Sequence, residues 1–432
     1  MPMPPRSHRE ATLDRRRFLQ LTAAAGAAPV LGPHPAAAAI QPTPPSGPDV
    51  GTLFPFIEKQ AVHGEFPLSF LNASATALET WKPATRTKVL DLLHYEPPPC
   101  DPAAETQERV DCGDYIRERV TFATTPDVRV PAFVLVPKGR QGRLPAIVAL
   151  HDHGGFYLWG KEKLVAVDGE HPVLGAFRAR SYAGRSIAIE LVRRGYIVVV
   201  IDMFYWGDRR MLLADDPADW RERPASMPEA RVDAFNARAS SNEQLVGRTI
   251  YSAGFTWPGV MCWDDIRTVD YLISRPDVDP RRIGCVGLSV GAVRSTHLAA
   301  FDDRIRAAVV VCWMTSFPKQ LRSHVRHTIG HTKVIPGVQR LLDYPDVASL
   351  AMPTPMLVMS GSRDPLFSLD GIKDSLAKLE ACYAKAGVAD RCRTRLYDSP
   401  HQFSVEMQTE AWAWLERFVL GRPPAENAPA RE

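Results

Sequence analysis

Ile283-Gly284-Cys285-Val286-Gly287-Leu288-Ser289-Val290-Gly291-Ala292 is a short apolar run that breaks into Gly-x-Ser-x-Gly, and the next residues, Val293 to Phe301, carry a helical pattern. The order is strand, sharp turn, helix, with a serine at the apex. A nucleophile pushed out on a strained turn leaves no room for side chains two positions before and after it, and Gly287 and Gly291 fill those positions. The bare pentapeptide also arises at other glycine-rich strand-to-helix turns, so its reading depends on what accompanies it.

Downstream, the apolar run Pro355 to Gly361 ends in Ser362-Arg363-Asp364-Pro365-Leu366-Phe367, which places a carboxylate just past a strand. Cys392 to Asp398 reads as another strand and runs into Ser399-Pro400-His401-Gln402-Phe403. Serine, then aspartate, then histidine, each in a loop after a strand, is a chain order of catalytic triads. Taken singly, Asp364 reads equally as a turn residue before proline and His401 as a loop histidine. Asp398 competes with Asp364 as the acid. It lies only three residues before the histidine, where it reaches its own loop's backbone more easily than it aligns with the imidazole, so the spacing favours Asp364.

Upstream, Tyr115 to Thr124 and Val128 to Val136, joined by Thr125-Pro126-Asp127, read as a hairpin. Leu144 to His151 is almost unbroken in its apolarity, as strands buried on both faces are. It ends in His151-Asp152-His153-Gly154-Gly155-Phe156, where a glycine pair can turn backbone N–H groups toward one point, or can simply make a turn. With Ser289 in the same chain the expected oxyanion donors are the amide of Val290 and one at Gly155 or Phe156. Ile187 to Arg194 reads as a helix closed by Gly195, followed by the strand Tyr196 to Ile201 and the loop Asp202 to Arg210, rich in aromatic and charged residues. The C-terminal rim of an open α/β sheet is where ligands bind, so His153, Trp206 and Trp313 are pocket candidates, although Trp206 suits a core position as well. Trp257 to Arg275 is amphipathic and leads into the serine strand; Ile305 to Trp313 is a further strand; Asp370 to Ala386 and Glu406 to Val419 are helices. Two stretches, about 211–247 and 314–350, break this rhythm and read as irregular, lid-like or solvated insertions.

Residues 1–39 read as an export signal. Asp14-Arg15-Arg16-Arg17-Phe18-Leu19-Gln20 resembles the twin-arginine motif, a weakly apolar segment follows from Leu21 to Gly32, and Ala36 to Ala39 offers a cleavage site. That apolar run is too short and too rich in Ala and Gly to span a bilayer stably. The chain has 52 Lys plus Arg against 49 Asp plus Glu, and this segment alone holds five arginines and two acids, so the remainder is balanced. A balanced surface argues against nucleic acid and against a membrane-surface role, both of which need a concentrated basic face. Residues 40–114 read as a Pro-rich linker and helical extension, 115–422 as the main domain and 423–432 as a tail. The seven cysteines have no metal-type spacing; Cys262, Cys285 and Cys312 suit buried thiols, while Cys100 with Cys112, or Cys382 with Cys392, suit pairing after export. His324, His327 and His331 lack acidic or cysteine partners at ligand spacing, so no metal or other cofactor is expected.

The segments HDHGG, DMFYWGDRR, WDDIRTVDYLISRPDVDPRRIGCVGLSVG, AAFDDRIRAAVV, GSRDPLF and PHQFSVEMQ together resemble α/β-hydrolases of the dienelactone hydrolase and acetyl xylan esterase-like group. The resemblance covers about Tyr115 to Leu420. It implies an α/β-hydrolase fold, a mostly parallel sheet flanked by helices. Dienelactone hydrolases proper use cysteine where this chain has Ser289, which favours the esterase branch. The expectation is an exported serine esterase acting on small-molecule or polysaccharide esters, with Ser289, His401 and Asp364 as triad and the twin-arginine machinery as export partner. The alternatives are a peptidase of the prolyl oligopeptidase type, disfavoured because only about 75 residues lie between the expected export signal and Tyr115, and a non-catalytic binding protein on the same scaffold.

Overall fold

The computed structural model describes residues 53–422, apart from residues 73 and 322 and the side chains of 326 and 327. The expected signal segment and C-terminal tail lie outside the described residues. The centre is a nine-stranded sheet in the order β1-β2-β3-β5-β4-β6-β7-β8-β9. Its strands are β1 Glu105–Asp111, β2 Tyr115–Thr125, β3 Val128–Pro137, β4 Leu144–Leu150, β5 Ile197–Ile201, β6 Val278–Leu288, β7 Ile305–Val311, β8 Met356–Gly361 and β9 Cys392–Tyr397. The first three pair antiparallel, as do β3 and β5. From β5 through β9 the strands are parallel, which puts their C-terminal ends on one rim.

The parallel strands are apolar because helices cover both faces. All residues of β5 and β8 are buried, and Ile147, Val148, Val286, Val309, Val310 and Leu357 lose all exposure. The longer helices are α1 Leu78–Leu93, α2 Pro172–Tyr182, α3 Ile187–Arg193, α4 Glu229–Ser252, α5 Trp257–Ser274, α6 Val290–Phe301, α7 Leu369–Lys385 and α8 Val405–Val419. Capping residues start several of them: the side chains of Thr256, Ser368 and Ser404 accept from the amides of Gly259, Gly371 and Met407. Among the described residues no helix is long and apolar enough to cross a membrane.

Two expectations about organisation change. Strand β1 falls inside the segment read as a helical extension, so the sheet begins at Glu105 rather than Tyr115. Its sequence, ETQERVD, has no apolar alternation because nearly every side chain is exposed, and only backbone pairing to β2 holds it. The stretch expected to be irregular around 211–247 contains α4, a 24-residue helix that buries Val232, Phe235, Ala239, Gly247 and Ile250. All seven cysteines are free thiols, including Cys100, Cys112, Cys382 and Cys392.

Candidate active site

The turn between β6 and α6 sets Ser289 at φ 58° and ψ −121°, a conformation that a non-glycine residue adopts only when its surroundings impose it. The Ser289 amide donates to the carbonyl of Val311 on the neighbouring strand (2.8 Å). The glycines on either side are required by crowding: a Cβ on Gly287 would lie 2.2 Å from the backbone of Gly291, and one on Gly291 would lie 2.0 Å from the carbonyl oxygen of Leu150. The serine strand, the helix after it and the end of β4 thus interlock with no space for side chains. Val290 contributes the first amide of α6, where no intrahelical acceptor exists.

Asp364, in the loop after β8, and His401, in the loop after β9, meet: Asp364 Oδ2 is 2.6 Å from His401 Nδ1. The other carboxylate oxygen, Oδ1, accepts from the Leu366 amide (2.9 Å), so the carboxylate is oriented from both sides. Its side chain is 1% exposed. Asp398 points elsewhere; it is 83% exposed and accepts from Arg363 Nε at 2.6 Å. Cys312, at the end of β7, places its Sγ within 4.8 Å of the paired Asp364 and His401 atoms, and burial pushes its thiol upward, which keeps it protonated.

His401 and Ser289 line one cavity of ≈ 700 Å³ at the C-terminal rim of the parallel strands. Val290, Gly155, His153, Arg180, Glu243 and Lys333 line it as well. The walls are therefore mainly charged and polar, with aliphatic contacts from Leu288, Val290, Ile329 and Leu366. Burial pushes the Lys333 ammonium down to about 8, against the attraction of Asp364.

The glycine turn after β4 is ordered by His153. The Gly155 amide donates to His153 Nδ1 (3.0 Å), so the ring proton sits on Nε2 and is donated to Glu243 Oε1 (2.8 Å). Tyr157 donates its hydroxyl to the same oxygen (2.9 Å), and together with His153 it holds the Glu243 carboxyl below the usual range despite burial. Glu243 comes from α4, the helix that sequence patterning does not reveal. The Phe156 amide is engaged by the His153 carbonyl (3.2 Å), and its ring stacks on Trp159 and Phe177 instead of lining the cavity.

Two pocket candidates belong to the core. Trp206 has no exposure and is stacked on Tyr157 with its ring edges on Tyr205 and Trp257. The loop that carries it is buried because Asp202 and Asp208 both bind the ammonium of Lys161 (2.7 and 2.8 Å), and Asp208 also pairs with Arg223. Trp313 is buried beneath the site and donates its indole N–H to Thr296 (3.0 Å). Large indoles near the rim are as easily spent on packing as on ligand, and residue type alone does not separate the two uses.

No family model matches the chain. Over 291 residues it is 28% identical to a Bacillus subtilis protein named "Putative hydrolase YtaP", covering 67% of this chain and 84% of that one. Two solved structures share its architecture. A Bacteroides fragilis protein described as a "putative acetyl xylan esterase" superposes with a TM-score of 0.61 at 18% identity, covering 81% of this chain and 82% of that one. A Solibacter usitatus glucuronoyl esterase superposes with a TM-score of 0.56 at 14% identity, covering 83% and 99%. The chain has the α/β-hydrolase fold.

Proposed function

We propose that this chain is a serine hydrolase of carboxylic esters, that its substrates are esters carried by carbohydrate, and that it acts after twin-arginine export. The observation that carries the reading is the Asp364–His401 contact opening onto the cavity that holds Ser289 on its strained turn. In this mechanism His401 Nε2 takes the Ser289 proton as Oγ attacks the ester carbonyl. Asp364 holds the Nδ1 proton and stabilises the imidazolium. The Val290 amide donates to the developing oxyanion; the two amides expected as its companion, those of Gly155 and Phe156, are both engaged by His153 instead. Collapse expels the alcohol, protonated by His401, and leaves an acyl-serine; water, deprotonated by the same histidine, then releases the acid.

Two further observations support a sugar-borne ester. The cavity is lined mainly by groups that hydrogen-bond hydroxyls, among them Ser240, Glu243, Gln244, Thr328 and Thr332. The structurally similar proteins above are described as esterases of such compounds. Initial rates on an aryl acetate, acetylated xylan, a methyl ester of glucuronic acid and a peptide amide test the reading. Ester turnover with the amide untouched is expected, and faster cleavage of the amide, or no ester turnover, would overturn it.

A further inference from the structure

At the opposite end of the sheet from Ser289, a second cleft of ≈ 460 Å³ opens where β4 begins. Arg140, Arg143, Arg194, Arg282 and Arg422 line it together, and no carboxylate does. Arg194 and Arg422 share Glu416, and Arg282 is held by Asp279 at 2.7 Å. Arg140 and Arg143 have no carboxylate partner among the described residues. The loop carrying them turns at Gly139 and Gly142, both at positive φ, and folds the Arg140 guanidinium against Gly195. Arg140 and Arg143, unpaired beside three further arginines, add like charge to one concave wall, and a bound anion offsets their repulsion.

We propose that this cleft is a binding site for a carboxylate-bearing oligosaccharide, separate from the catalytic cavity. The guanidinium fork matches a carboxylate with two parallel hydrogen bonds, and arginine is the sole cation lining the cleft. A volume of ≈ 460 Å³ is in the range of organic ligands and exceeds what a single inorganic anion needs. Next along the same end of the sheet, a cleft of ≈ 590 Å³ carries Lys82, Arg86, Arg306 and Arg391 beside Asp303 and Asp390. Leu420 lines the first and Phe418 the second, so the end of α8 separates them and an extended chain has a path across both. The β4 strand alone puts roughly 20 Å between the first cleft and the serine, at about 3.3 Å per residue. The site therefore holds polymer and takes no part in bond cleavage. The choice of a glycan over another polyanion rests on the proposed carbohydrate esterase reading; the existence of the anion site does not.

The test measures binding directly, so that it does not depend on turnover. Wild type and the double variant Arg140→Glu, Arg143→Glu are titrated with oligogalacturonate, neutral dextran, inorganic sulfate and single-stranded oligothymidylate, and both proteins are assayed on an aryl acetate. Oligogalacturonate should bind wild type in a salt-dependent manner and weaken about tenfold or more in the variant, with aryl-acetate turnover unchanged. Equal binding by wild type and variant, or no binding at low salt, would overturn the site. Tighter binding of oligothymidylate, or full displacement by equimolar sulfate, would overturn the glycan assignment. An inactive wild type that still binds oligogalacturonate would sink the esterase reading alone and leave the anion site standing.

Discussion

Asp364 and Asp398 are both close to His401 along the chain or across it, and they are used differently. Asp364 is buried and shares its carboxylate between the imidazole and the Leu366 amide, whereas Asp398 spends its charge on Arg363 in solvent. Asp364→Asn is expected to lower kcat by about a hundredfold or more, because the amide cannot support the imidazolium. Asp398→Asn should cost less than about tenfold, since exposed ion pairs contribute little. Steady-state rates on one aryl ester check the ranking, with both variants first verified as folded. The positions of Ser289, Asp364 and His401, the proposed triad, were legible because each sits in a loop immediately after a strand, a pattern that burial writes into the sequence. Trp206 and Trp313 were not separable from pocket residues, because an indole satisfied by His153 or Thr296 looks the same in sequence as one facing a ligand.

Among the elements, α4 was hidden and matters most to the site. Its apolar positions, Val232, Phe235, Ala239 and Ile250, are spaced widely among charged and small residues, so the stripe is thin and the segment reads as solvated. The helix delivers Glu243 to His153, which in turn accepts from Gly155 at the cavity wall. Replacing Glu243 with Leu removes the acceptor that fixes the ring, and kcat/KM should drop by about tenfold, as losses of orienting partners do. Glu243→Gln keeps an acceptor and should stay within about threefold. The helix after the serine carries a different consequence. Burial holds His297 down from 6.5 to about 4, so between those values the unfolded chain binds a proton that the folded chain does not. Stability from this group is complete above the unfolded value and falls as pH drops toward the folded one, by roughly 3 kcal/mol in all. Urea unfolding at about pH 7.5 and about pH 4.5 should show this loss, and the difference should shrink in His297→Leu.

For the molecule as a whole, the parallel half of the sheet is what the sequence states most clearly. Strands β4 to β8 are covered on both faces and therefore carry apolar runs that no solvated segment imitates. The solvent-facing edge is silent for the opposite reason, since β1 has no buried face to mark it. The same architecture gathers the ends of β6, β8 and β9 on one rim, so loops far apart in sequence bring Ser289 and His401 to a single cavity, with Asp364 buried behind the imidazole. The central claim is that Ser289 is the nucleophile there. Intact-mass and peptide-mapping spectrometry after treatment with a fluorophosphonate tests it most directly. The account predicts one adduct, located on Ser289, and none in Ser289→Ala, which should remain folded and lose ester turnover by several orders of magnitude. An adduct on another residue, or undiminished ester turnover by the alanine variant, would contradict it.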